Sequence, residues 1–146
     1  DEYVDMLSWA ASLHEVGLTV AHSQYQKHGA YLLEKSDLSG FSRQEQRILA
    51  ALVRGHRRKF PLAYFAALPD AVTVPAIRLC IILRMAALLH RSRDAATLPD
   101  IEVNGEQGNL GLRFPDGWLK EHPLTRAELK REKRYLKPAG INLTAK

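Results

Sequence analysis

Residues 12–17, Ser-Leu-His-Glu-Val-Gly, place two side chains that can bind a metal, His14 and Glu15, next to each other at the end of an apolar helical pattern. Between Val4 and Ala11 the apolar side chains recur at steps of three and four residues, which is typical of a helix with one buried face. The stretch therefore predicts a first helix that ends in a His-acid pair.

Further histidines follow in the next predicted helices. His22 and His28 come within a few turns of the pair, and His56 lies in the segment Leu52–Lys59, at the end of the next apolar helix. This order of helices and histidines resembles the HD phosphohydrolase superfamily. The resemblance implies a helical scaffold that gathers histidines and aspartates around one or two metal ions.

A later helix departs from the pattern of that superfamily. Residues 83–91 read Leu-Arg-Met-Ala-Ala-Leu-Leu-His-Arg, with Ala87 and His90 where the superfamily carries acids. A methyl group cannot bind a metal, and metal sites need several well-placed ligands. We therefore predict an HD-like domain that lacks a complete metal site, with no metal bound. The vestigial metal-site positions are His14, Glu15, His28 and Ala87.

Composition sets the class of partner but not its identity. The 146 residues contain 21 Lys and Arg against 16 Asp and Glu, a formal charge of +5, which favours polyanions. The single cysteine, Cys80, lies in an apolar run, which predicts an inert buried thiol and fits a reducing cytoplasm. No signal peptide or transmembrane segment is predicted. The start at Asp1 suggests a piece of a longer polypeptide.

Local signals place the helices. Ser42–Glu45 is a capping box that predicts a helix ending near Gly55, and Thr125–Glu128 is a second one. The segment from Ala76 to about His90 is apolar nearly all round, which predicts the central and most buried helix. Arg84 and Arg91, seven residues apart, are predicted to share one of its faces.

After residue 95 the pattern changes from helices to short strands. Ile101–Val103, Leu110–Phe114 and Ile141–Leu143 read as strands, with Asn104-Gly105 as a hairpin turn. The predicted fold is mainly α: an HD-like helical domain over residues 1–95, followed by a small α+β C-terminal domain over residues 96–146, a short β-sheet with one helix.

Several motifs taken together point to a more specific resemblance than the HD scaffold does. The combination is similar to the C-terminal half of the exopolyphosphatase and guanosine pentaphosphate phosphohydrolase family, with exopolyphosphatase as the expected member and the pentaphosphate enzyme as the alternative. It consists of His14–Gly17, Ala21–Ser23, Lys27–Leu32, Gly40–Gln46, Arg54–Lys59, Leu88–Arg93 and Leu112–Leu119.

The resemblance implies that catalysis and ligand binding are carried out by different halves of the enzyme, and the catalytic half is not among these residues. An N-terminal actin-like half uses Mg to hydrolyse the terminal phosphate of polyphosphate. The C-terminal half supports a homodimer and holds long inorganic polyphosphate in a basic channel. We therefore expect this fragment to have no catalytic residue and no cofactor of its own. The expected partners are polyphosphate, the N-terminal half and a second copy, with no specific nucleic acid.

Arginine suits a phosphate chain because its fork donates two parallel hydrogen bonds and stays charged. We therefore predict that the helix ends carry the binding track, with His56 and His90 as weaker neighbours of the arginines and Lys59. The predicted polyphosphate-binding residues are Arg54, His56, Arg57, Arg58, Lys59, Arg91 and Arg93.

Other readings of the same residues stay open. The histidines and Glu15 form either a metal site of a live HD hydrolase or a hydrogen-bonded polar core. The run Arg54–Lys59 is either a binding track or a solvated helix end, and a nucleic-acid module would need aromatic residues among its cations. The mixed charges of Lys130–Arg134 predict a solvent-facing surface.

Overall fold

The computed structural model describes residues 1–91 and 98–146 and divides the chain into two compact units, Asp1–Met85 and Ala86–Lys146. The fold is mainly α with a small sheet in the second unit, as the sequence predicts. The predicted boundary between residues 95 and 96 lies outside the described residues and stays a prediction. The helices and strands are α1 Glu2–Leu13, α2 Tyr25–Lys35, α3 Arg43–Gly55, α4 Leu62–Ala66, α5 Asp70–His90, β1 Glu102–Glu106, β2 Asn109–Arg113, α6 Trp118–Glu121, α7 Pro123–Leu136 and β3 Asn142–Ala145.

Helix α3 forms the centre of the first unit. Its capping box is confirmed: the Ser42 hydroxyl accepts from the Glu45 amide at 3.0 Å, and the Glu45 carboxylate accepts from the Ser42 amide at 2.8 Å. Every residue from Ile48 to Val53 is buried. The prediction that α5 is the most buried helix is therefore wrong, since Ile82 is half exposed and α3 carries the longest buried run.

Helix α5 begins earlier than its apolar pattern indicates. It starts at Asp70, so that Pro75 lies inside the helix rather than in the predicted first turn. In the first turn of the helix, before Pro75, the amides of Val72 and Thr73 donate to the Pro69 carbonyl at 2.9 and 3.2 Å. Pro75 removes one amide donor, and the rest of the helix continues past it.

Among the described helices, α5 alone has the length and apolar content of a membrane-spanning helix. Its buried side chains within the first unit include Leu79, Cys80 and Leu83, together with the cation Arg84. A buried cation and this packing are the features of a core helix.

The second unit is built on a three-stranded sheet in the order β1-β2-β3. Strand β2 pairs antiparallel with β1 and parallel with β3. The buried side chains of the unit include Leu112, Leu129, Leu136 and Leu143, which come from the sheet and from α7. Strand β3 lies at an edge of the sheet, as predicted.

Two local predictions in this unit are wrong. The hairpin turn is Gln107-Gly108 and not Asn104-Gly105, because β1 continues to Glu106 and the φ of 74° at Gly108 closes the two-residue turn. The second capping box does not form at Thr125. Helix α7 begins two residues earlier, at Pro123, so Thr125 lies inside it and is buried.

The short 3-10 turn Val16–Thr19 brings Gly17 against the start of α2. A Cβ at Gly17 would overlap the carbonyl oxygen of Tyr25 and would lie 2.6 Å from the amide nitrogen of Gly29. We expect Gly17→Ala to lower the free energy of unfolding by about 1–3 kcal/mol, because neither main-chain group can yield cheaply. Urea unfolding measures the loss.

Gly105→Ala is the matched control, since a Cβ there meets no atom within 4 Å. It should change the free energy of unfolding by less than about 0.5 kcal/mol. Equal stability of the two variants would contradict the close approach at Gly17.

Candidate functional site

The basic turn, defined here as residues 54–59, follows the buried part of α3 and reads Arg-Gly-His-Arg-Arg-Lys. Helix α3 ends at Gly55, where only glycine fits because a Cβ would lie 2.7 Å from the sulfur of Cys80 and 3.0 Å from the ring of Phe65. The carbonyls at a helix end carry partial negative charge. The cations of the basic turn are therefore favourably placed.

Arg84 of α5 holds the basic turn from inside the first unit. It is the largest fully buried side chain there, with an exposed fraction of 1%. One guanidinium nitrogen donates to the Gly55 carbonyl, and the other donates to the Arg58 carbonyl at 2.6 Å. The guanidinium carbon also lies 5.6 Å from the ring centre of Phe60. Charge-assisted bonds of this kind are worth about 1.5–3 kcal/mol each, so Arg84 fixes the turn at two points.

Arg58, the second residue that Arg84 contacts, has the least favourable main-chain conformation in the turn. Arg58 has a φ of 64°, in the left-handed region that costs a non-glycine residue about 1 kcal/mol. The bond from Arg84 to its carbonyl stabilises this conformation. The Arg58 and Lys59 side chains are both exposed.

Arg57 lies across an aromatic ring of the neighbouring helix. Its guanidinium carbon is 4.4 Å from the ring centre of Tyr25, and one of its nitrogens donates to the side-chain oxygen of Gln26 at 3.3 Å. These contacts restrict the side chain before any ligand arrives.

Arg54 is half-buried beside a second tyrosine. Its guanidinium carbon is 5.7 Å from the ring centre of Tyr64, whose hydroxyl donates to the Glu34 carboxylate at 2.8 Å. Burial and that carboxylate raise the pKa of Tyr64 above its usual range. Arg54 therefore faces protein groups more than Arg58 and Lys59 do.

His56 points inward, away from the cations on either side of it. Its exposed fraction is 2%, its Nδ1–H donates to the Val53 carbonyl at 2.6 Å, and Nε2 is 3.5 Å from the Tyr25 hydroxyl. Burial lowers its pKa from 6.5 to about 4, and the charges of His14, Arg57 and Arg84 contribute in that order. His56 is neutral at physiological pH, and a ligand at the surface of the turn cannot reach its ring.

The predicted His-acid pair lies beside His56. The rings of His14 and His56 are 5.0 Å apart between centres, and His14 Nε2 is 4.0 Å from a carboxylate oxygen of Glu15. Nδ1 of His14 donates to the Ala11 carbonyl at 2.6 Å. These residues do not fit a metal well, because the guanidinium groups of Arg57 and Arg84, which help to depress the pKa of His56, also repel a metal cation.

Within residues 1–91 and 98–146, no group of three or more His, Cys, Asp or Glu side chains could hold a metal ion. His28 is half-buried on α2, and Ala87 is half-buried on α5 and offers no ligand atom.

The remaining predicted phosphate ligands are Arg91 and Arg93, with His90 beside them. Arg91 is half exposed and forms an ion pair of 3.3 Å with Glu128 of α7. His90 is exposed at the end of α5. Arg93 lies outside the described residues, so the Arg91 and Arg93 part of the track stays a prediction.

The sequence reasoning missed Arg84 and Tyr25, which hold the turn and one of its cations. One signal was available for Arg84: an arginine within a helix that is apolar nearly all round must find hydrogen-bond acceptors when it is buried. For Tyr25 no local signal exists, because the contact with Arg57 joins residues 32 positions apart.

The family model described as Ppx/GppA phosphatase, domain III, matches residues 1–133 of this chain. Several curated proteins are similar over most of its length.

Three of these relatives bear the name guanosine-5'-triphosphate,3'-diphosphate pyrophosphatase. The protein of Pseudoalteromonas translucida is 36% identical over 138 residues, which is 94% of this chain and 28% of the relative. That of Aeromonas salmonicida is 34% identical over 87% of this chain and 26% of the relative. That of Vibrio cholerae is 35% identical over 87% of this chain and 25% of the relative. The chain thus spans about a quarter of the length of these relatives.

Replacing Arg84 tests its hold on the basic turn. Arg84→Met keeps an unbranched apolar stem but leaves the carbonyls of Gly55 and Arg58 without these donors. We expect a loss of about 2–4 kcal/mol in the free energy of unfolding, measured in urea. Arg78→Met, at an exposed position of the same helix, should cost less than about 0.5 kcal/mol. Similar losses in both variants would contradict the account.

The buried His56 predicts a pH dependence of stability. Below pH 6.5 the unfolded chain binds a proton that the folded protein binds only near pH 4, so stability falls as pH decreases through this window. The full effect is roughly 3 kcal/mol.

His56→Gln should flatten the decline in unfolding free energy between about pH 7 and pH 4.5, whereas His28→Gln should retain it. A decline as steep in His56→Gln as in the parent protein would refute this assignment.

Proposed function

Because this chain belongs to the Ppx/GppA phosphatase family, whose domain III it matches, we propose that it is the accessory C-terminal part of a phosphoanhydride hydrolase. In this proposal the basic turn binds the phosphate chain of the ligand. The observation that supports this proposal is that Arg84 holds the main chain of the turn by two hydrogen bonds. The turn exposes Arg58 and Lys59 to solvent, with Arg57 beside them on the ring of Tyr25.

The chemistry of the ligand follows from these cations. Inorganic polyphosphate carries about one negative charge per unit, and its binding releases counterions as a nucleic acid backbone does. Arg57 lies on Tyr25 and loses little freedom on binding, which lowers the entropic cost of holding a phosphate. The main chain of Arg58 is held by Arg84, and its side chain is exposed to solvent, where a phosphate can reach it.

The cleaving machinery belongs, in this proposal, to the remainder of the enzyme. The relatives are about four times as long as the matched region, and their printed name supports the guanosine pentaphosphate member of the family over exopolyphosphatase for the whole protein. Both substrates present several linked phosphates, so the same cations serve either. We propose that an N-terminal half uses Mg to hydrolyse the terminal phosphate while this part contributes binding only.

We propose that the whole enzyme works in the cytoplasm as a homodimer, in which two copies of the basic turn extend the track for a long ligand. Once one basic turn has bound, the second turn meets the same phosphate chain at a high effective concentration. The dimer then binds a long chain more tightly than either turn does alone.

A charge-removal experiment tests the binding. Arg57→Ala with Arg58→Ala should weaken binding of long polyphosphate about tenfold or more and should lower the steepness of its salt dependence by about one to two. Fluorescence anisotropy at two KCl concentrations measures both quantities, and single-stranded RNA of matched length serves as competitor.

Arg43→Ala with Arg78→Ala removes the same charge from exposed positions of the same unit and is the matched control. Equal affinity of the two double variants would reject the basic turn as the binding site. Displacement of polyphosphate by RNA at equal concentration would reject phosphate-chain selectivity.

A further inference from the structure

A groove in the second unit runs along α7. Three adjoining concavities of about 390, 430 and 380 Å³ make it up. The first two share Leu119, Arg126 and Lys146, and the third joins the first at Lys133. The groove is therefore continuous along the helix as far as Lys137, which lines the third concavity.

Cations at exposed positions line this groove. They include Lys120, Arg126, Lys130, Lys133, Lys137 and Lys146. Asp116 is the acid in its lining, and the ion pairs found between described residues include none of these six cations. The groove is thus complementary to a partner of negative charge.

The spacing along α7 sorts the cations onto one side. Residues 126, 130, 133 and 137 recur at steps of four, three and four, which places them on one face. The buried residues 125, 129, 132 and 136 form the neighbouring face. The four cations of Lys130–Arg134 are exposed, whereas Glu132 is buried. The predicted surface of mixed charge is therefore wrong for its acid, and the exposed side of this stretch is basic.

The lining also contains apolar side chains that are only partly covered. Leu119, Ile141 and Ala145 are each half-buried. A phosphate chain has no apolar group to place there, whereas an amphipathic helix has. Leu143 is 1% exposed, so the groove offers side chains rather than the main chain of β3. A helix suits such a surface because it satisfies its own main-chain hydrogen bonds.

Helix α1 of the first unit carries the opposite charge. Residues 1–26 contain four Asp and Glu and no Lys or Arg, whereas residues 113–146 contain nine Lys and Arg against four acids. Glu2 and Asp5 lie in the first turn of α1, and both are exposed. The ion pairs found between described residues include neither carboxylate. These carboxylates are therefore available to a partner.

An apolar stripe lies on the outward side of α1. Val4, Leu7 and Ala11 recur at steps of three and four, which places them on one side of the helix, whereas its buried residues are Met6 and Ala10. Val4 is 62% exposed, Leu7 is half-buried and Ala11 is exposed. Helix α1 thus combines an exposed apolar stripe with free carboxylates, which is the complement of the groove.

The two surfaces also match in length. Helix α1 has 12 residues, which gives it a length of about 18 Å. The cations from Arg126 to Lys137 span about 16 Å at the same rise per residue. One helix therefore covers the whole row of cations.

We propose that α1 of a second copy of this chain docks in the groove. Its apolar stripe packs on Leu119, Ile141 and Ala145, and its carboxylates meet the lysines of α7. Each copy offers both surfaces, so a twofold dimer contains the contact twice. This interface rests on the proposed homodimer and names the surfaces that join it. Opposite charges on the two surfaces speed association and fix the register of the helix in the groove.

Self-association of the 146-residue chain tests the interface. Sedimentation equilibrium should show a dimer of the 16.4 kDa chain, and its dissociation constant should rise with KCl because salt screens the charged contact. Lys130→Glu with Lys133→Glu should raise the dissociation constant about a hundredfold, since the contact occurs twice. Arg131→Glu with Arg134→Glu is the matched control, because it changes the same charge at exposed positions of α7 outside the lining and should leave the dimer intact.

An exchange of charges identifies α1 as the occupant. Glu2→Lys with Asp5→Lys should also weaken the dimer about tenfold or more. An equimolar mixture of this variant with the Lys130→Glu and Lys133→Glu variant should associate again, because each of the two contacts then joins opposite charges.

A second variant keeps the test decisive if the lysines at the start of α1 unfold it, as circular dichroism would show. Val4→Ser removes an exposed part of the apolar stripe and should weaken the dimer about tenfold. Val103→Ser, at a position of β1 that is 67% exposed and outside the lining, should not.

The contrary results separate this interface from the proposed function. A parent chain that stays monomeric at every concentration would overturn the interface together with the homodimer. A dimer that the charge reversals at Lys130 and Lys133 leave intact would overturn the interface alone. Long polyphosphate that binds through Lys130 and Lys133 without any effect of these variants on dimerisation would assign the groove to a phosphate chain instead. Phosphate binding by the basic turn is measured with the Arg57 and Arg58 variants, so its failure is seen independently.

Discussion

The buried guanidinium of Arg84 is the constraint on which the candidate site depends. It joins α5 to the end of α3 by donating to the carbonyls of Gly55 and Arg58. A helix end has carbonyls without partners inside the helix, and a cation is the natural group to place there. Without that cation, the left-handed main chain at Arg58 would lose the hydrogen bond that stabilises it.

The same interaction shapes the chemistry around the histidines. His14 and His56 lie together, as an HD-like scaffold implies, but His56 is buried, bonded internally and kept neutral with help from two neighbouring guanidinium groups. Positive charge already occupies the interior beside these rings. The surface of the first unit therefore offers fixed cations to anions, whereas its interior disfavours a bound metal cation.

Sequence reasoning succeeds here where a signal is local. The Ser42–Glu45 box, the end of α3 at Gly55 and the edge position of β3 are each written in a few neighbouring residues. It fails where distant partners decide. The hairpin turns at Gly108 because β1 stays paired with β2 as far as Glu106. The start of α7 at Pro123 places Thr125 inside the helix, where it is buried. The basic turn is visible as charges in sequence, but the inward direction of His56 and the support from Arg84 arise only on folding.

The central claim is that the Arg84 guanidinium is held rigidly by two main-chain carbonyls. Nitrogen-15 NMR of the side-chain Nη–H groups tests this most directly, through their exchange with solvent and their coupling to carbonyl carbons. The account predicts separate, slowly exchanging Nη–H signals for Arg84, with couplings to Gly55 and Arg58. Averaged signals that exchange as fast as those of exposed arginines would contradict it.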